Sequence, residues 1–115
     1  IESYEEFMLD DADIAVIAYG SVSLAVKEAI KQLREEGIKV GLFRPITLWP
    51  SPEEKIAEVA NKFDKVLVTE MNKGQYIKEI ERVSGRKDFE TLFKANGRPI
   101  SPAEIKAKLK EIAGK

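Results

Sequence analysis

The sequence predicts an α/β fold with a parallel sheet. Three observations carry that expectation. Short apolar runs alternate with amphipathic stretches of helical period three times along the chain. Helix-start signals or a terminal glycine bound the helical stretches, and the spacers between units are rich in turn-forming residues.

The first unit opens with Ile14 to Tyr19, a continuous apolar run closed by Gly20-Ser21. Such a run reads as a strand covered on both faces. Beyond it Val22, Ala25, Val26, Ala29, Ile30 and Leu33 recur at three and four positions, one helical stripe that stops at Gly37. Lys27, Lys31, Arg34 and Glu35 are expected on the wet face. Val40 to Phe43 is the second strand. Ser51-Pro52-Glu53-Glu54 then places Ser at the N-cap, Pro at N1 and Glu at N3, a capping box for a helix that buries Ile56, Val59, Ala60 and Phe63.

Val66 to Thr69 is the third strand. Asn72 caps the next helix with Gln75 at N3, and Tyr76, Ile77, Ile80 and Val83 form its buried stripe. Phe89 to Lys94 alternates less cleanly, as an edge strand does, and Asn96-Gly97 is a turn signal. Ser101-Pro102-Ala103-Glu104 repeats the capping pattern before Ile105, Leu109 and Ile112, so the chain is expected to end in a helix packed on the sheet.

At 115 residues and 43% apolar composition, residues 1–115 are expected to form a single domain. The first thirteen residues hold six acidic groups and no basic one, without an apolar stretch resembling a secretory signal. Together with the start at Ile1, this reads as a domain excised from a longer subunit. The longest apolar run falls far short of the ~20 residues of a membrane helix, so no membrane association is expected and the default compartment is cytoplasmic.

With neither cysteine nor histidine, the chain has no thiolate nucleophile, no disulfide and no imidazole base. Net charge is −1, but residues 1–64 carry seven basic and thirteen acidic groups and residues 65–115 carry twelve and seven. These blocks either steer a partner or form a solvated surface, and the second reading is preferred. The basic residues lack interleaved aromatics, so no nucleic-acid partner is expected.

In an open parallel sheet, ligands and partners gather where strand ends meet helix starts. Three loops qualify: Tyr19-Gly20-Ser21, Arg44 through Pro50, and Glu70 through Gln75. Gly20-Ser21 either holds a phosphate or makes a tight turn, and the turn is preferred because no glycine-rich phosphate fingerprint is present. Arg44 either clamps an anion, or pairs with an acid such as Glu70 or contacts another domain. Glu70 is the best candidate for a perturbed carboxylate, with helix capping or ion pairing the safer role. Trp49 is either a half-buried hinge or an anchor in a partner's pocket.

Read together, Ile14 to Ser21, Val40-Gly41-Leu42-Phe43-Arg44-Pro45-Ile46-Thr47-Leu48-Trp49-Pro50 and Glu70-Met71-Asn72-Lys73-Gly74-Gln75 resemble the C-terminal domain of the alpha subunit of 2-oxoacid:ferredoxin oxidoreductases. More distantly, the Arg-Pro after the second strand and the Glu after the third are similar to transketolase C-terminal domains. The resemblance implies a three-layer α/β/α sandwich with a mostly parallel, mixed sheet of about four to five strands that admits one antiparallel strand. It implies a parent enzyme that decarboxylates a 2-oxoacid such as pyruvate or 2-oxoglutarate oxidatively, forms acyl-CoA and reduces ferredoxin.

Thiamine diphosphate, Mg2+, iron–sulfur clusters and CoA would belong to the assembled enzyme, with no cofactor, metal or catalytic residue on this chain. Its implied partners are the preceding domain of the same subunit and companion subunits, with ferredoxin reached only through the assembly. Gly20, Ser21, Arg44, Pro45, Trp49, Glu70, Asn72 and Gly74 are the expected contacts. The competing expectation is a freestanding module that binds a small anion or nucleotide at the helix starts.

Overall fold

A computed structural model describes residues 3–46, 52–70, 75–93 and 98–114. Nine elements follow in order: β1 (Tyr4–Phe7), β2 (Ile14–Ala18), α1 (Val22–Glu35), β3 (Val40–Pro45), α2 (Glu53–Lys62), β4 (Lys65–Glu70), α3 (Gln75–Ser84), β5 (Glu90–Phe93) and α4 (Pro102–Ala113). The sheet order is β1-β3-β2-β4-β5. β2, β3, β4 and β5 run parallel, and β1 lies antiparallel on β3 with Tyr4 opposite Pro45.

The continuous apolar strands sit at the centre because both of their faces are covered. Every residue of β2 is buried. Alternate side chains go to opposite layers, as the pleat demands. Val16, Leu42 and Leu67 join α1 and α4 in one core, while Ile17, Phe43 and Val68 join α2 and α3 in the other. Each fully buried aliphatic side chain contributes about 1.5–3 kcal/mol.

β1 is the element that the sequence expectation lacked, since its acid-rich residues read as a boundary. Tyr4-Glu5-Glu6-Phe7 has no clean alternation of apolar and polar residues. Its charges are instead met on both faces: Glu5 pairs with Lys27 of α1 at 2.8 Å and Glu6 with Lys55 of α2 at 3.5 Å. The edge candidate near residues 89–94 is β5, and it is parallel to β4. Among the described residues the one antiparallel strand is therefore β1.

Of the two Ser-Pro capping expectations, one holds and one shifts. Ser101 caps α4 with a complete capping box, Glu104 N–H donating to Ser101 Oγ at 3.2 Å and Ser101 N–H to Glu104 Oε1 at 3.2 Å. Pro52 sits at the N-cap of α2 and not at N1, its carbonyl accepting from Ile56 N–H at 2.9 Å. Ser51, Asn72 and the Asn96-Gly97 turn lie outside the described residues.

Arg34 and Lys27 are not on the wet face. Arg34 turns back to donate to the carbonyls of Val40 at 3.1 Å and Met8 at 2.7 Å, and pairs with Asp11. That arrangement holds the β1–β2 connection against β3. Gly41 makes room for it: a Cβ there would stand 2.6 Å from both Leu9 Cα and the Met8 carbonyl oxygen.

The opposed charge blocks partly neutralise each other within the chain. Glu36, just past α1, takes Lys106 at 2.6 Å and Lys110 at 2.8 Å from α4, so those lysines are not merely solvated. These two cations hold the Glu36 carboxyl at about 2, well below its ordinary 4.5, Lys106 having the larger effect. Arg86 closes α2 by donating to the carbonyls of Ala60 at 2.6 Å, Phe63 at 2.5 Å and Asp64.

Candidate functional site

Parallel strands bring their carboxyl ends to one rim, and the antiparallel β1 begins there. Ile17 is in register with Phe43 and Val68, and Glu70 with Phe93. The ends of β2, β3 and β4 therefore stand side by side. Arg44, Pro45 and Glu70 belong to the last residues of the strands themselves and not to loops.

At the end of β2, Gly20 takes φ +70°, a left-handed conformation that glycine adopts without strain. Its carbonyl accepts from Ser23 N–H at 3.1 Å and from Ser23 Oγ at 2.7 Å. The chain turns tightly at Gly20-Ser21 and enters α1. Ser21, at the N-cap, is in a helical conformation and makes no side-chain cap, and the first turn of α1 has no acidic residue.

Glu70 is 1% exposed, and its carboxylate accepts Tyr76 N–H at 3.0 and 3.1 Å and Ile77 N–H at 3.0 Å. A helix start presents unpaired N–H groups and a partial positive charge, and a carboxylate satisfies both. Tyr76 in turn meets Tyr19 edge-on, ring centroids 5.0 Å apart. The β2 and β4 ends of the rim are coupled through that contact.

Arg44 pairs with Glu5, its register partner on β1, at 3.1 Å. The pairing with Glu70 considered from sequence is replaced by this one, because Arg44 faces the α1 layer and Glu70 is committed to α3. Lys27 first and Arg44 second hold the Glu5 carboxyl below its ordinary range. Arg44 Nε is buried with no hydrogen-bond acceptor among the described residues. An unsatisfied donor of this kind costs about 1–3 kcal/mol. Pro45 is buried at the strand end, and Ile46 beyond it is exposed. Trp49, Asn72 and Gly74 lie outside the described residues.

The sequence reading missed Glu5 and Lys27 as companions of Arg44. Only the acidic pair between Tyr4 and Phe7 signalled that a strand lay there, and no local pattern says which cation it meets. Clefts open at the opposite, amino ends of the strands, bordered by Asp13, Lys39 and Asp64 and by Lys65, Asp88 and Glu111. Asp88 is paired with Arg86 and Glu111 with Lys108.

Without Cys or His, the donor set does not fit an iron–sulfur cluster or an imidazole-held metal. Among the described residues no three acidic side chains converge to hold an ion. None of their helices is long and apolar enough to cross a membrane.

The family model described as pyruvate:ferredoxin oxidoreductase core domain II matches residues 12–105. Ketoisovalerate oxidoreductase subunit VorB of Methanothermobacter marburgensis is 43% identical over 111 residues, covering 96% of this chain and 32% of that subunit. A solved 2-oxoglutarate:ferredoxin oxidoreductase from Magnetococcus marinus, with 2-oxoglutarate, coenzyme A and succinyl-CoA bound, superposes with TM-score 0.84 at 27% identity. It is matched over 97% of this chain and 20% of its own. A split gene transketolase, at 18% identity and TM-score 0.74 over 96% of this chain and 41% of its own, shares the fold. The chain spans about a third of the length of the curated relatives it matches first.

Proposed function

The chain belongs to the pyruvate:ferredoxin oxidoreductase core domain II family, and from that premise we propose that it is the subunit-contact domain of a 2-oxoacid:ferredoxin oxidoreductase alpha subunit. The parent reaction would join 2-oxoacid, CoA and oxidised ferredoxin to give acyl-CoA, CO2 and reduced ferredoxin. Iron–sulfur centres would be held elsewhere in that assembly, because this chain has no cysteine to ligate them, and thiamine diphosphate and Mg2+ are likewise assigned to its other parts. No reaction step is assigned to its residues.

The observation that carries the reading is the state of the rim. Its buried carboxylate, Glu70, is committed to capping α3, and Arg44 is bound to Glu5. Catalysis by acid–base transfer requires a group free to exchange a proton with a substrate. A rim whose carboxylates are already committed, with Ile46 exposed beside Arg44, suits contact with other protein. Gly20, Ser21, Arg44, Pro45, Trp49, Glu70, Asn72 and Gly74 are the proposed contact positions.

The test is activity by reconstitution. The isolated chain is expected to give no 2-oxoacid-dependent ferredoxin reduction, and the full-length subunit with its companions is expected to give it. A complete assembly that carries this sequence and stays inactive on every 2-oxoacid tried would overturn the reading.

A second reading, a freestanding small-anion or nucleotide binder, draws on the start of α1, whose first turn holds no acidic residue. Calorimetry with nucleotides, CoA and thiamine diphosphate separates the two. Saturable binding lost in Arg44→Ala would favour the module.

A further inference from the structure

One patch of the rim combines charge and apolar surface. Arg44 and Lys27 share a single carboxylate, that of Glu5, at 3.1 and 2.8 Å. The three side chains sum to one positive charge. Leu24 is 67% exposed and Ile46 is 51% exposed.

Both lie on the same side of the sheet as that cluster. Leu24 precedes Lys27 by three residues and so shares its helix face, one turn nearer the rim. Ile46 follows Arg44 by two, continuing the strand's alternation toward the α1 layer. A cation flanked by exposed branched aliphatic side chains is the composition of an interface centre more than of a solvated surface.

We propose that this patch receives a carboxylate side chain flanked by apolar residues, supplied by the polypeptide that precedes this domain in a longer subunit, with Arg44 as the receiving cation. Charge selects the chemistry: a carboxylate neutralises the residual cation, and the guanidinium fork suits its planar geometry. Free phosphate would use the charge and leave Leu24 and Ile46 bare. The path of the chain selects the source. β1 starts at the rim, and the Ser3 carbonyl accepts Ile46 N–H at 2.9 Å, which puts the first described residue of the chain beside the patch. Tethering there gives such a segment a high effective concentration.

The proposal rests on the reading of the rim as a contact surface, and footprinting separates the two. The 115-residue chain is compared with the full-length subunit carrying this sequence. Phenylglyoxal reads Arg44, and hydroxyl radicals read Leu24, Ile46 and, as a marker of the rim's other end, Tyr19. Severalfold protection of Arg44, Leu24 and Ile46 in the full-length subunit is expected. Arg44→Gln should return Leu24 and Ile46 to the labelling of the isolated chain.

Protection of Tyr19 without protection of the patch would overturn this inference and leave the contact reading standing. No protection anywhere on the rim would overturn both. Protection that appears only when a companion subunit is added would overturn the assigned source. Should Arg44→Gln fail to fold by circular dichroism, the exposed substitution Leu24→Ser replaces it. It is expected to raise Arg44 labelling in the full-length subunit severalfold, and unchanged labelling would count against the proposal.

Discussion

Both carboxylate oxygens of Glu70 accept the backbone N–H of Tyr76, at 3.0 and 3.1 Å. The last residue of β4 thereby caps the helix that follows it, across residues 71–74. Because Tyr76 also meets the ring of Tyr19, one buried carboxylate orders two parts of the rim.

Glu70→Ala leaves the N–H groups of Tyr76 and Ile77 without their acceptor, and a loss of about 2–4 kcal/mol is expected. Glu70→Gln retains one acceptor oxygen and should lose about half as much. Urea unfolding measures both. Equal stability of the two variants and the parent chain would refute the capping role.

Glu36 should titrate at about 2 in the folded chain, against an ordinary 4.5, because Lys106 and Lys110 hold its charged form. A depressed folded-state pKa means the unfolded chain takes up this proton first as pH falls. Its stabilising contribution is thus fully present above about 4.5 and is lost toward about 2. Carbon-detected NMR titration of the Glu36 carboxyl checks the value, and Lys106→Ala with Lys110→Ala should return it toward 4.5.

Gly41→Ala places a methyl 2.6 Å from backbone atoms of Met8 and Leu9. Backbone cannot swing aside as a flexible side chain does, so the β1–β2 connection must move. Overpacking of this kind costs about 1–3 kcal/mol. Differential scanning calorimetry should record a lower Tm, and an unchanged Tm would show that the connection yields without strain.

Arg86→Met removes the donors to the carbonyls of Ala60, Phe63 and Asp64, at an expected cost of about 2–3 kcal/mol. Arg86→Lys should recover only part, since an ammonium cannot present the same planar fork. Amide hydrogen exchange is expected to rise first in the last turn of α2. Protection there equal to that of the parent chain would count against the cap.

Much of the fold was legible because helices and parallel strands announce themselves locally. The stripe from Val22 to Leu33 is α1, and the Ser101-Pro102-Ala103-Glu104 signature is the α4 cap with both of its predicted hydrogen bonds. β1 was not legible, because an edge strand need bury only part of each residue and its charges find cations from two helices. At the rim, individual residues were legible and their pairings were not. Arg44 and Glu70 were picked out, with helix capping named as a role for Glu70, and Glu5 was not named as the partner of Arg44.

By itself the sequence determined which segments become the parallel strands and the helices, through apolar runs and spacings that repeat every three to four residues. It also determined that no thiolate or imidazole chemistry occurs here, since those side chains are missing from it. The tertiary structure alone decided that Arg44 meets Glu5, 39 residues away, that Glu70 spends its charge on α3, and that Arg34 folds back onto β3. Those pairings depend on which faces the sheet order brings together, and many arrangements of the same charges satisfy any local rule.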